Sequence, residues 1–337
     1  MLLDYGFVIL DGAMGTMLTE MGLKVGEKPE ILNITAPEKV IEVHRRYIEA
    51  GSNIIYANTF GANRKKLEGE GYSVQEVITA AVENAKVARG DKDIRIALDL
   101  STLGEMLEPM GTLSFEECYE IVSEQVIAGH NAGVDLFVIE TVTDLYELKA
   151  GILAVKENSN KSLITTMSFE ANGRTFSGCL PESFALTASS MGVDALGVNC
   201  SLGPMEIYPI IERIAKVTNK PLVVKANAGL PNFQGEYTMK SVEFAKGMLE
   251  ISKLGVQYLG GCCGTDPSYI AELVKVLEGE TLSFRKVVKP SAVCTPVKYV
   301  ELKNFVGIGE KINPTGKKYL KEALLNGNMD PIIKEAI

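Results

Sequence analysis

The chain reads as an α/β protein folded as a (β/α)8 TIM barrel, and three observations predict it. Eight short apolar runs recur along the first 280 residues. Amphipathic stretches lie between them, the pattern of parallel strands joined through crossover helices. The unit repeats about every 35 residues, and eight such units fit a closed barrel, which typically takes about 250 residues. An open doubly wound sheet is the alternative. The first glycine-rich turn, DGAMGT, lacks the G-x-G-x-x-G spacing of a dinucleotide-binding fold of that kind.

The first run is FVILDG (7–12), ending in Asp11-Gly12. PEKVIEVHRRYIEAG (37–51) has proline in its first turn and stops at Gly51, so it is a helix. NIIYANTF (53–60) leads into Asn58-Thr59, and IRIALDLS (94–101) carries Asp99 near its end. SFEECYEIVSEQVIAGHNAG (114–133) opens with Ser114-x-x-Glu117, a capping-box pattern. LFVIETV (136–142) ends in Glu140-Thr141, and LITTMSF (163–169) is the fifth run. ALGVNCS (195–201) ends in Asn199-Cys200, and PMEIYPIIERIAKVTN (204–219) has helical apolar spacing. PLVVKANAG (221–229) carries Lys225 and Asn227, and TMKSVEFAKGMLEISKLG (238–255) is the helix after it. QYLGGCC (257–263) closes the series with Cys262-Cys263.

Residues 1–280 are therefore read as the barrel. Residues 281–305 mix lysine, proline and short apolar pieces without helical period, and are read as a linker wrapped on the surface. Residues 306–337 read as a strand, a Pro-Gly loop and a helix. Such a unit cannot bury its own apolar face, so it reads as the truncated start of a second domain or as a piece docked on the barrel.

Composition narrows the function classes. The formal charge is −9 over 337 residues, with no basic run interleaved with aromatics, which argues against nucleic acid or an anionic membrane as partner. The N-terminal stretch has no positive region, and Asp4 and Asp11 interrupt it, so no signal peptide is expected. No run approaches a membrane span. A cytoplasmic, reducing location follows as the expectation, with the six cysteines present as thiols, ligands or nucleophiles.

In a barrel of this kind the chemistry sits at the C-terminal ends of the strands. Cys200, Cys262 and Cys263 all fall there, and the sixth and eighth runs are separated only by the seventh. Three thiolates so placed suit a soft divalent metal, above all zinc. Gly260, Gly261 and Gly264 are expected to give the backbone freedom to turn both adjacent sulfurs toward the ion. A fourth protein ligand is missing from the pattern. His44, His130 and Cys118 sit on helical stretches, and Cys179 and Cys294 are read as ordinary packing or exposure. An open fourth position suits a substrate thiol, whose pKa a metal would lower. Asp11 and Glu140 could hold an ammonium group, and the N–H groups of Gly12 and Ala13 a carboxylate. Together they describe an amino-acid thiol.

VILDGAMGT, YANTFGAN, FVIETVTD, GVNCSLGP, ANAGLPN and GGCCGT, in that order over about residues 5–280, resemble the homocysteine S-methyltransferase family. The resemblance implies a zinc-bearing (β/α)8 barrel that moves a methyl group onto homocysteine to give methionine. It assigns zinc, and the catalysis it supports, to Cys200, Cys262 and Cys263. It assigns the substrate amino group to Asp11 and Glu140, and implies that Asn227 approaches the zinc when substrate is absent. GIGEKINPTGKK (307–318) resembles the opening of the pterin-binding barrel, which takes methyltetrahydrofolate, in the cobalamin-dependent methionine synthase family. That implies methylcobalamin, recharged from 5-methyltetrahydrofolate, as donor, with cobalamin- and folate-binding domains lying outside this chain. Two departures stand out. The family's Asp-Ile-Gly-Pro-Thr-Gly is Asp99-Leu100-Ser101-Thr102-Leu103-Gly104 here, and Ala226 replaces a common proline before Asn227.

Three rival readings remain open. Lys225 in a barrel strand could form a Schiff base, as in an aldolase, although snorkelling to the rim or pairing with a carboxylate is the plainer role. The metal could be purely structural. The donor could be a sulfonium such as S-methylmethionine, against which the folate-like tail argues.

Overall fold

The computed structural model describes residues 6–24, 26–232, 234–307, 309 and 311–336. Asp4, used in the N-terminal reading, lies outside them. Eight parallel strands form one sheet: β1 (Val8–Ile9), β2 (Ile54–Tyr56), β3 (Arg95–Ser101), β4 (Leu136–Val142), β5 (Ser162–Met167), β6 (Ala195–Asn199), β7 (Leu222–Ala226) and β8 (Val256–Gly261). Their order is β1-β8-β7-β6-β5-β4-β3-β2. A parallel bridge between Leu10 and Ile54 joins the two ends. The Ile9 N–H also donates to Asn53 Oδ1 at 2.8 Å, and the Asn53 N–H to Ile9 O at 2.7 Å. The sheet thus closes into the expected barrel.

Among the described residues ten α-helices accompany the strands: α1 (Met14–Glu20), α2 (Leu32–Thr35), α3 (Pro37–Glu49), α4 (Val74–Arg89), α5 (Phe115–Ala132), α6 (Leu145–Asn158), α7 (Pro181–Ser190), α8 (Pro204–Ala215), α9 (Ser241–Ser252) and α10 (Pro267–Leu277). At α5 only half of the expected capping box forms. Ser114 Oγ accepts from the Glu117 N–H at 3.1 Å, while the Glu117 carboxylate pairs with Lys65 at 3.2 Å. The full reciprocal box is at α4, between Ser73 and Glu76. Among the described residues no helix is long and apolar enough to cross a membrane.

Strand alternation builds two apolar layers. Val8, Leu10, Ile54, Tyr56, Ala97, Leu136, Val138, Ile164, Ala195, Val223 and Tyr258 form a cluster inside the barrel. Their neighbours, such as Ile9, Ile55, Ile96, Phe137 and Val224, join the larger cluster that includes the helices. Continuing the inward parity by two residues leads from Ala97 to Asp99, from Val138 to Glu140 and from Val223 to Lys225. The interior is therefore apolar below and charged at its C-terminal end.

Beyond α10 the chain departs from the sequence reading. Part of the presumed surface linker forms two paired strands, β9 (Ala292–Thr295) and β10 (Lys298–Glu301), and β9 lies against α7. Two compact units meet at residues 300 and 301. In the second unit the expected strand is not formed among the described residues of 306–317, and Ile308 and Glu310, within that expectation, lie outside them. Two helices, α11 (Lys318–Leu325) and α12 (Asp330–Ala336), follow where one was expected.

Candidate active site

The strand ends converge on a cavity of about 250 Å³. Asp11, Gly12, Ala13, Glu140, Cys262 and Cys263 line it, so six of the residues singled out from sequence meet there. Tyr56, Asp99 and Lys225 line it as well. A volume of this size suits a small metabolite.

On one side stand the sulfurs. Cys200, Cys262 and Cys263 place their Sγ atoms within 4.8 Å of one another, and Cys200 and Cys263 are 3.7 Å apart. Tetrahedral zinc–thiolate bonds of about 2.3 Å separate sulfurs by roughly 3.8 Å, so the trio fits three corners of a zinc site. The backbone fixes this arrangement. Cys200 and Ser201 adopt φ values of 60° and 61°, a region that non-glycine residues enter at a cost. The Cys200 N–H donates to Lys225 O at 3.0 Å, the Cys262 N–H to Ala226 O at 2.7 Å, and the Ala228 N–H to Cys263 O at 2.9 Å. Strands β6, β7 and β8 are thereby tied together where the sulfurs emerge. Hydrogen bonding from Cys200, then from Cys262, pulls the Cys263 thiol down, while hydrogen bonding to Cys200, then to Cys263, pushes Cys262 well above the ordinary thiol value.

The surrounding glycines act differently from the expectation. Only Gly264 has a positive φ, 78°, and a Cβ there would fall 2.2 Å from Tyr237 Cγ. Gly261 is an ordinary strand residue, and its role is close approach: a Cβ would lie 2.3 Å from Thr265 Oγ1. Thr265 Oγ1 in turn donates to Cys262 O at 2.7 Å.

Asn199, just before Cys200, links the sulfur side to the acidic side. Its Oδ1 accepts from the Thr141 N–H at 2.8 Å and from Thr166 Oγ1 at 2.7 Å, and its Nδ2 donates to Thr141 Oγ1 at 2.7 Å. Thr141 has φ 60°, at the register shift in β4 beside Glu140.

The acidic side holds a buried ion pair. Lys225 Nζ donates to Asp11 Oδ1 at 2.9 Å, stands 4.0 Å from Glu140 Oε2, and lies 3.6 Å from the centre of the Tyr56 ring. Burial pulls Lys225 down, but Asp11 and Glu140 more than offset it and hold the ammonium well above the ordinary lysine value. Engaged with Asp11, Lys225 takes the carboxylate-pairing role rather than that of a Schiff-base nucleophile. Burial pushes Asp11 up, with Lys225 the largest opposing influence. Burial, followed by the nearby Glu140, pushes Asp99 well above the usual carboxylate range.

Other expectations resolve residue by residue. The Ala13 N–H already donates to Thr265 Oγ1 at 3.3 Å, so it meets a ligand carboxylate only by sharing that bond. Asn227 follows β7 directly, and its buried Oδ1 has no hydrogen-bond partner among the described residues. Cys118 and Cys179 are buried away from the sulfur set, their thiols pushed up to about 12. The altered Ser101–Gly104 loop is held by Glu147, which accepts from the Leu103 N–H at 2.6 Å and from Thr102 Oγ1, and by Lys66 on Thr102 O. Asp99 is a strand-end acid in the sequence, and the structure brings it into the cavity. Its inward parity with Ala97 was the signal.

Comparison with known proteins agrees with this geometry. The family profile described as Homocysteine S-methyltransferase matches residues 8–277. The methionine synthases of Mycobacterium leprae (strain TN) and Mycobacterium tuberculosis (strain ATCC 25618 / H37Rv) are each 28% identical, over 94% of this chain. The chain spans 28% of the length of each of these curated relatives. The metallated form of the homocysteine methyltransferase MmuM from Escherichia coli superposes with a TM-score of 0.71 at 22% identity. That match covers 81% of this chain and 97% of the other. The apo form of the same protein gives 0.65 at 21% identity, covering 81% and 96%. These structures share the fold, and the profile carries the assignment: the chain belongs to the homocysteine S-methyltransferase family, a family of methyltransferase enzymes.

Proposed function

We propose that the chain catalyses zinc-dependent methylation of the homocysteine thiol, giving methionine. One observation supports this reading: three sulfurs cluster within 4.8 Å of one another, and two of them, those of Cys262 and Cys263, belong to residues that line a small cavity shared with Asp11, Asp99 and Glu140. Bound by Cys200, Cys262 and Cys263, zinc would be a Lewis acid that keeps a substrate thiol deprotonated at neutral pH. The chain's own residues do the rest. The acidic wall receives the substrate ammonium, and Gly12 and Ala13 lie where a carboxylate would be met. The enclosed cavity fixes the sulfur for displacement at a methyl carbon. In this proposal Asn227, whose buried Oδ1 has no hydrogen-bond partner among the described residues, approaches the sulfur set when substrate is absent.

The proposed donor is methylcobalamin, carried on another domain or protein and recharged from 5-methyltetrahydrofolate. Residues 1–280 form the homocysteine-binding barrel in this proposal, 281–305 a connecting stretch and 306–337 the opening of a pterin-binding domain. The proposed location is the cytoplasm, and neither nucleic acid nor membrane is proposed as a partner.

Metal analysis joined to a methylcobalamin–homocysteine assay tests the proposal, with S-methylmethionine as a second donor. About one zinc per chain and methionine formed from methylcobalamin are expected, both lost in Cys263→Ser. Absent zinc, or unchanged activity in that variant, would overturn it. Methionine formed only from S-methylmethionine would reassign the donor.

A further inference from the structure

We infer that the substrate's ammonium group is received by Asp99 and Glu140, because Lys225 has withdrawn Asp11 from that task. The inference rests on the reading that the cavity takes an amino-acid thiol. It follows from an account of acceptors. Asp11 Oδ2 accepts from the Tyr56 N–H at 2.7 Å, and Asp11 Oδ1 accepts from Lys225 Nζ at 2.9 Å. The first donor is backbone. The second belongs to a side chain only 4% exposed, held against the Tyr56 ring. Both Asp11 oxygens therefore have a donor, and although each keeps a lone pair, the Asp11 charge is already paired with an ammonium before any ligand arrives.

Asp99 and Glu140 differ. Each lines the cavity, each residue is under 8% exposed, and Asp99 Oδ1 and Glu140 Oε2 have no hydrogen-bond partner among the described residues. Lys225 cannot serve Glu140 while it holds Asp11, since 4.0 Å is too long for a hydrogen bond. Strands β3 and β4 are paired, with Asp99 opposite Val138 and Ser101 opposite Glu140. The two acids thus sit diagonally on the same inward face. Burial raises both acids above their ordinary values and leaves these oxygens without partners, so this wall calls for a ligand that brings several N–H donors and a positive charge, which would restore both acids to the carboxylate form. An α-ammonium group does both. A thiol acid without the amine brings neither, so the site selects amino-acid thiols.

Calorimetric titration of the zinc-loaded full chain tests this, with L-homocysteine and its desamino analogue 4-mercaptobutanoate as probes. The wild type should prefer homocysteine. Asp99→Asn, which keeps the side-chain shape, should weaken homocysteine binding about 10- to 100-fold and leave 4-mercaptobutanoate unchanged. Unchanged homocysteine affinity in a folded Asp99→Asn protein overturns the inference. Equal binding of the two probes by the wild type also overturns it but leaves the thiol site standing, whereas binding of neither removes the proposed function itself. A crystal structure of the wild-type homocysteine complex decides the matter without a variant. The nitrogen should lie about 3 Å from both Asp99 and Glu140. A nitrogen on Asp11, with Lys225 turned away, would refute the assignment.

Discussion

The two walls of the cavity solve opposite problems. The sulfur wall is set by backbone: a left-handed Cys200, a left-handed Gly264 and strand-to-strand bonds from β6 through β8. Its side chains are short, so once the main chain is placed their sulfurs have little choice. The acidic wall is set by side chains reaching across the barrel, with Lys225 choosing Asp11 over Glu140 by about an ångström. One wall is specified by local conformation and the other by competition among charges. Substitutions should therefore damage them differently.

The largest effect is expected on the sulfur wall. Cys263→Ser should lower methyl transfer more than about 1,000-fold, beyond the 10- to 100-fold typical of residues that merely support a metal ligand. The circular dichroism spectrum should stay that of a folded barrel. A variant that keeps both zinc and activity would overturn the three-sulfur zinc site on which the proposed function rests.

On the acidic wall the main cost should fall on stability. Lys225→Met leaves Asp11 buried without its cation, a change expected to cost about 3–5 kcal/mol in urea unfolding. Adding Asp11→Asn to that variant should recover much of the loss, because the stranded charge is then gone. Purely additive losses would mean that the pair is not what holds this wall.

Gly264→Ala probes the conformational half of the contrast. The side chain must enter a left-handed position and also displace Tyr237, for an expected cost of about 1–3 kcal/mol. Zinc affinity should fall with it, read by competition with a chromogenic chelator. A stable variant with weakened zinc binding would show that the turn serves the metal more than the fold.

The same contrast explains what could be read from sequence. The barrel was legible because apolar runs and amphipathic stretches alternate, and because each strand's polar residues cluster at one end. The sulfur set was legible because cysteines are few and three of them fall at such ends. Lys225 was visible, but its partner was not, since Asp11 is 214 residues away and Glu140 an equal candidate by sequence. Asp99 needed only its parity with Ala97 to be placed inside, and that test was open from the sequence. Glu117 had the right spacing for a capping box, yet Lys65 from a distant loop drew its carboxylate away. Among the described residues after 305 no strand forms, and a strand needs a neighbour for its backbone groups, which an apolar pattern within one segment cannot supply.

His44 gives the smallest effect and a control far from both walls. It lies on α3, fully buried, and neither ring nitrogen has a hydrogen-bond partner among the described residues. Burial pulls its pKa down from 6.5 to about 4. As pH falls below 6.5 the unfolded chain takes up this proton first, so the native state loses stability progressively until the folded imidazole also titrates near 4. Between pH 7 and pH 5.5 the loss from this group comes to about 1 kcal/mol. His44→Phe keeps the site filled and removes the titration. In urea unfolding, the variant's stability relative to the wild type should therefore improve by about that amount on going from pH 7 to pH 5.5. A difference that does not move with pH would mean that the imidazole finds a proton acceptor or water inside the helical layer, and that burial there is less complete than the packing of α3 implies.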